Sequence, residues 1–142
     1  MTEADTAEAL LTGNVPVLAT PRLVALCEEA SCLAIKGHLP EGGTSVAKRV
    51  QFDHLVPVSV GAKVWAEATL DRIEGRRLVF SLSVSEGGGL VAAGKLVRVV
   101  VDRATFLANV RVEHTQFLFT YYAIYIKLII IVYLFGQHIN CL

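Results

Sequence analysis

The stretch TPRLVALCEEASCLAIKGHLPEGGTSVAKRVQFDH, residues 20–54, contains one change of apolar period, and that change decides the fold. In its first half Leu23, Leu26, Cys27, Ala30, Leu33 and Ala34 recur every three or four residues, which lays one apolar stripe along a helix. Thr20 followed by Pro21 marks the start: the hydroxyl can cap a first-turn N–H, and proline fits where its own N–H is not needed. Gly37 is the natural stop, so the helix is about sixteen residues long. Past Gly42 and Gly43 the period falls to two. Val46, Val50, Phe52 and His54 share one face of a strand over residues 45–55, and Ala47, Arg49, Gln51 and Asp53 share the other.

Downstream the alternation continues. Residues 62–73 set Val64, Ala66, Ala68 and Leu70 on one side, and Glu74-Gly75 turns the chain into Leu78, Phe80, Leu82 and Val84, a hairpin. Gly87 to Gly89 turn it again into a long β-rich run, residues 91–101, and residues 102–109 close the domain. The glycine triplet lacks the strand-to-helix setting of a dinucleotide loop and reads as a turn. One helix followed by an antiparallel meander is an α+β arrangement with the helix on one sheet face. Such a sheet keeps open edges, so a homodimer is expected.

Composition sets the limits. The chain has 142 residues, 54% apolar, with 13 basic against 13 acidic side chains. That length fits one domain, and the apolar fraction is too high for a disordered segment. Zero net charge argues against a nucleic-acid partner, which would need a cationic surplus on one face. Cys27, Cys32 and Cys141 leave one thiol over from any disulfide, and no Cys/His spacing forms a zinc cage. Neither metal nor cofactor is expected, and a cytoplasmic location is the default.

The two ends differ from the middle. Residues 1–14 carry Glu3, Asp5 and Glu8 and read as a polar lead, without the basic-then-apolar order of a secretory leader. The domain then covers residues 15–110. The tail, residues 111–142, holds all four tyrosines, and residues 117–135 are apolar apart from Thr120 and Lys127. A run of about 19 residues is long enough to span a bilayer, which makes membrane association through this segment the alternative localisation. Lys127 opposes it, since a mid-membrane charge costs roughly 2.5–3.5 kcal/mol. The competing reading is an extension foreign to the fold.

Three side chains stand out chemically. Thr20 at a helix start is explained by capping alone. Glu28 lies beside Cys27 at the edge of the apolar stripe, where a carboxylate is costly unless bonded or used. His54 ends a strand on its apolar face, and an imidazole titrating near pH 6.5 suits proton transfer. If the helix crosses that face, Thr20, Glu28 and His54 could meet as nucleophile, orienting acid and base, or as a carboxylate and histidine acting on water. Arg76 and Arg77 beside the hairpin turn are a solvated charge pair or a phosphate contact.

The ordered strings VPVLATPRLVALCEEASC (15–32), LPEGGTSVAKRVQFDHL (39–55) and EGRRLVFSLSV (74–84) resemble the fluoroacetyl-CoA thioesterase-like family of hotdog-fold proteins over residues 15–110. The resemblance implies a sheet wrapped around one long helix, a homodimer, and hydrolysis of a short-chain acyl-CoA to free acid and CoA at a site near the subunit interface. It places the family's catalytic threonine, glutamate and histidine on Thr20, Glu28 and His54. A glycine that holds the thioester carbonyl in the family falls on Ala47, whose backbone N–H remains. Family members also begin with an additional strand, so one strand of the sheet is expected to be missing here. A binding module that holds acyl-CoA without hydrolysing it, and a truncated or membrane-anchored isoform without activity, are the alternatives this departure leaves.

Overall fold

In the computed structural model the described residues are 1–112, and residues 1–102 make one compact unit. Its elements are a short 3-10 turn (Glu3–Asp5), α1 (Thr20–Ala34), β1 (Gly43–His54), β2 (Val64–Glu74), β3 (Arg77–Glu86) and β4 (Gly89–Asp102). The strands form one antiparallel sheet in the order β1-β4-β3-β2, and α1 lies against the face shared by all of them. A second unit begins at Arg103 with α2 (Arg103–Val112). Among the described residues no helix is long and apolar enough to cross a membrane, and the candidate segment 117–135 lies outside them.

The turns behave as their residues require. Gly75 (φ +60) joins β2 to β3, and Gly87 with Gly88 (φ +54 and +87) forms the two-residue loop into β4. Consecutive positive φ values match the right-handed twist of a hairpin, and glycine reaches them without a Cβ clash. Phe80, Leu96, Val84 and Leu23 are wholly buried and form the centre of the core between sheet and helix.

Two sequence expectations are corrected by the packing. The buried face of α1 is Leu23, Cys27 and Ser31, continued by Ile35 beyond the helix, whereas Leu33 is 62% exposed. The stripe therefore advances by fours and takes in a serine, because Ser31 is satisfied by polar partners inside the core. The second correction is in β1. A bulge between Ala47 and Arg49 leaves Lys48 unpaired. Ala47 is therefore opposite Arg98 and Val50 opposite Leu96, and directly opposed residues share a face. Ser45 and Ala47 consequently face the helix with Val50, Phe52 and His54, and Val46 faces away.

Residues 1–14, charged as they are, pack into this unit. Thr6 bridges Leu18, Val17 bridges Ser59, and both Thr6 and Ala7 are buried.

Candidate active site

Thr20 and His54 meet. The Thr20 hydroxyl lies 3.0 Å from His54 Nδ1. Capping does not explain this threonine: the cap position is Ala19, no side chain caps the helix, and Thr20 is its first residue. The contact follows from the strand pattern around it. Leu18 N donates to the Val58 carbonyl at 2.9 Å, tying the run into α1 to the segment just past His54. His54 itself is on the helix-facing side of β1, opposite Ala92. Thr20 is exposed and His54 half-buried, so the hydroxyl is open to a ligand. The other ring nitrogen, Nε2, is buried and has no hydrogen-bond partner among the described residues.

Glu28 is placed elsewhere. Its carboxylate is 3.7 Å from the guanidinium of Arg98, on β4, and does not bond the imidazole. Arg98 is 5% exposed. It donates to Ser45 Oγ at 2.9 Å, the Ser45 carbonyl at 3.0 Å and Ser31 Oγ at 3.2 Å, and Ser31 in turn donates to the Glu28 carbonyl at 2.6 Å. Ala47, directly opposite Arg98, is on the same end of β1. Sequence reading missed this cluster. Arg98 sits among valines in an otherwise apolar strand, and that interruption on the helix-facing register was the available signal.

The chain thus carries two separate polar clusters, Thr20 with His54 and Glu28 with Arg98. The eight residue steps from Thr20 to Glu28 span about 12 Å of helix axis. From Ala47 to His54 along β1 the distance is about 20 Å. Of the three residues expected to meet, Thr20 and His54 are in contact within the chain, whereas Glu28 stands beside Arg98. Arg76 and Arg77 are exposed on the β2–β3 turn, at the sheet end opposite to His54, since Arg77 is in register with Val99 and His54 with Ala92. A cavity of about 450 Å³ lies beside the Arg98 cluster, lined by Cys32, Leu33, Lys36, Leu39, Thr44 and Ser45 among others. The cavity of about 330 Å³ at Asp5, Arg22 and Trp65 touches neither cluster. Among the described residues no group of acidic, histidine and cysteine side chains is arranged to hold a metal ion.

Comparison with known proteins gives a consistent result. The chain is 32% identical over 95 residues to the fluoroacetyl-CoA thioesterase of Streptantibioticus cattleyicolor, covering 67% of this chain and 68% of that one. A crystal structure of a variant of the fluoroacetyl-CoA-specific thioesterase FlK in complex with fluoroacetate and CoA superposes with a TM-score of 0.74 at 27% identity, covering 81% of this chain and 94% of the other. A hot-dog-like protein from Thermanaerovibrio acidaminovorans superposes equally well, with a TM-score of 0.74 at 27% identity over 82% of this chain and 85% of that one. The fold is therefore the hotdog fold that the family resemblance implies. The sequence profile described as fluoroacetyl-CoA-specific thioesterase matches residues 1–104, and this chain belongs to that family.

Proposed function

We propose that the protein is an acyl-CoA thioesterase that hydrolyses a short-chain acyl-CoA to the free acid and CoA, working as a homodimer. The observation that carries the reading is the 3.0 Å contact between the Thr20 hydroxyl and His54 Nδ1. With its proton on Nε2, the imidazole accepts the hydroxyl hydrogen at Nδ1. Thr20 Oγ1 then attacks the thioester carbonyl carbon while Nδ1 takes the proton. Collapse of the tetrahedral intermediate breaks the C–S bond, and the departing thiolate takes that proton and leaves as CoA. Water attacks the acyl-threonine ester by the same route in reverse, returning the hydroxyl and releasing the acid.

The second cluster enters through the dimer. β1 is an edge strand, and an antiparallel pairing of two β1 strands about a two-fold axis near Val50 and Gln51 sets His54 of one chain beside Ala47 of the other. Glu28 and Arg98 of the partner subunit then stand over the Thr20–His54 pair, and the partner's Ala47 N–H is available to the developing oxyanion. Leu55 and Val56, 54% and 46% exposed just past His54, approach the partner's Leu33 and Leu39. Such burial accounts for apolar side chains that one chain leaves in water.

Mixing inactive variants tests both parts. His54→Ala should lower turnover of a small acyl-CoA by at least about 10²-fold, and Glu28→Ala should impair it as well. Heterodimers of the two variants contain one intact site, so unfolding and refolding an equimolar mixture should restore about a quarter of the wild-type rate. No restoration, with dimers present by light scattering, would place all three residues in one chain's site. Unchanged turnover in His54→Ala would remove the histidine from the reaction, and tight CoA binding without hydrolysis would favour a binding module.

A further inference from the structure

Helix α1 has Pro21 in its first turn but begins without a side-chain cap or an acidic residue. Its cap residue is Ala19, which has no side chain to offer. Thr20, which could have helped, has its hydroxyl turned to His54. A missing side-chain cap costs a helix about 1 kcal/mol, and the first turn is where a helix frays. Yet the reaction needs Thr20, the very first helical residue, to hold a hydrogen-bond distance. What secures it comes from the N-terminal segment. The Asp5 carbonyl accepts Ala19 N at 3.0 Å, and Asp5 Oδ1 accepts Arg22 Nε at 2.8 Å. These two bonds grip the chain on either side of Thr20. The remaining carboxylate oxygen, Oδ2, accepts both the backbone N–H and the hydroxyl of Thr2, at 2.7 and 2.9 Å, which fixes Asp5 in its own 3-10 turn.

We propose that Asp5 is a positioning residue for Thr20, acting through Ala19 and Arg22 on the first turn of α1; the inference rests on the reading of Thr20 and His54 as the reacting pair. Asp5 supplies from a separate segment the acceptor and the negative charge that the helix start lacks. Leu18, bonded to Val58, anchors the same run from the His54 side. With both anchors the hydroxyl has one place to be, whereas with one it can swing away from the ring. A misplacement of about 1 Å at reacting atoms can cost on the order of 10²-fold, so partial loosening should cost less than removal of the histidine.

The test compares Asp5→Asn, Arg22→Gln and the double variant with wild type and Thr20→Ala, well below their unfolding midpoints. Asp5→Asn keeps the shape and the backbone carbonyl but weakens the grip on Arg22. Its kcat on a short acyl-CoA should fall roughly 10-fold with KM within about 2-fold. The double variant should fall no further than the worse single one, since both break the same contact. The His54 ring signals in heteronuclear NMR should move in Asp5→Asn in the direction they move in Thr20→Ala, which a merely destabilised fold would not reproduce. A kcat within about 2-fold of wild type, multiplicative losses in the double variant, or unmoved His54 signals would each overturn the proposal. Should Thr20→Ala retain full turnover, the reacting-pair reading fails by itself, and the His54 signals still decide whether Asp5 fixes Thr20.

Discussion

Replacing Arg98 by methionine sets two large effects against each other. The side chain is buried and gives three hydrogen bonds, two to Ser45 and one to Ser31, with the Glu28 carboxylate at 3.7 Å. Burying a guanidinium costs several kcal/mol, but its three charge-assisted hydrogen bonds, worth about 1.5–3 kcal/mol each, offset that cost, so removing both together is near neutral. The replacement, however, leaves acceptors behind. Ser31 stays satisfied because its hydroxyl still donates to the Glu28 carbonyl. The Ser45 carbonyl and hydroxyl lose their donor, at about 1 kcal/mol each for a half-buried residue. Glu28 is 39% exposed on its side chain, so water can solvate it and the roughly 3–5 kcal/mol of an orphaned buried charge does not apply. The expected net loss is about 2 kcal/mol, read in urea denaturation, or roughly 10 °C in the thermal midpoint of a domain this size. Arg98→Lys keeps the charge near Glu28 but cannot reach Ser31 and both Ser45 acceptors at once, and should lose about half as much. A methionine variant as stable as wild type would refute the reasoning, because desolvation would then outweigh the bonds.

Gly94→Ala should disrupt the β1–β4 pairing. A Cβ there would lie 2.3 Å from the Gln51 carbonyl oxygen and 3.1 Å from Phe52 Cα, backbone atoms that cannot step aside. A loss above about 3 kcal/mol is expected by denaturant titration, and a neutral result would contradict the close approach of the two strands. Asp5 should make stability depend on acid. The Thr2 N–H, followed by Arg22 and the Thr2 hydroxyl, holds its pKa down from 3.8 to about 2. A lowered folded-state pKa gives stability that is complete above about pH 4 and is lost as pH falls towards 2. With Arg22 37% exposed on its side chain, the effect is worth about 1 kcal/mol. The urea midpoints of wild type and Asp5→Asn should therefore converge from pH 5 to pH 2.5, and a constant gap would argue against it. Burial pushes the Cys27 thiol up to about 11, whereas Cys32 is exposed. Iodoacetamide at pH 8 should label Cys32 first in peptide maps, and equal rates would mean that α1 opens readily.

The helix and four strands were legible because their apolar periods are strong and their turns carry glycine. Two features were not. Nothing in SVAKRVQFDH announces that Lys48 is an extra residue, so strict alternation put Val46 with His54 and turned Ala47 to the wrong face. Bulges break the period without changing composition, and only the register against β4 reveals this one. Likewise the stripe of α1 looked complete with Leu33. The helix instead rotates to bury Ser31, a choice made by Arg98, which is 67 residues away in the chain. Thr20 reads as a plausible cap, and the structure leaves that role vacant: the cap position is Ala19, and the Thr20 hydroxyl meets His54 instead.

That vacancy links the parts of the site. A threonine that capped its own helix would have its hydroxyl engaged with a backbone N–H and be a poor partner for an imidazole. Freeing it removes a support from the helix start, and the N-terminal segment restores that support through Asp5. The bulge has a matching consequence on the other cluster. By turning Ser45 and Ala47 inward it brings Ser45 within reach of Arg98, which holds the cation beside Glu28. Each cluster therefore depends on a local departure from regular structure, one at a helix start and one in an edge strand. The two clusters lie at opposite ends of β1, and in the proposed homodimer an antiparallel pairing of that edge strand with its own copy would make them neighbours.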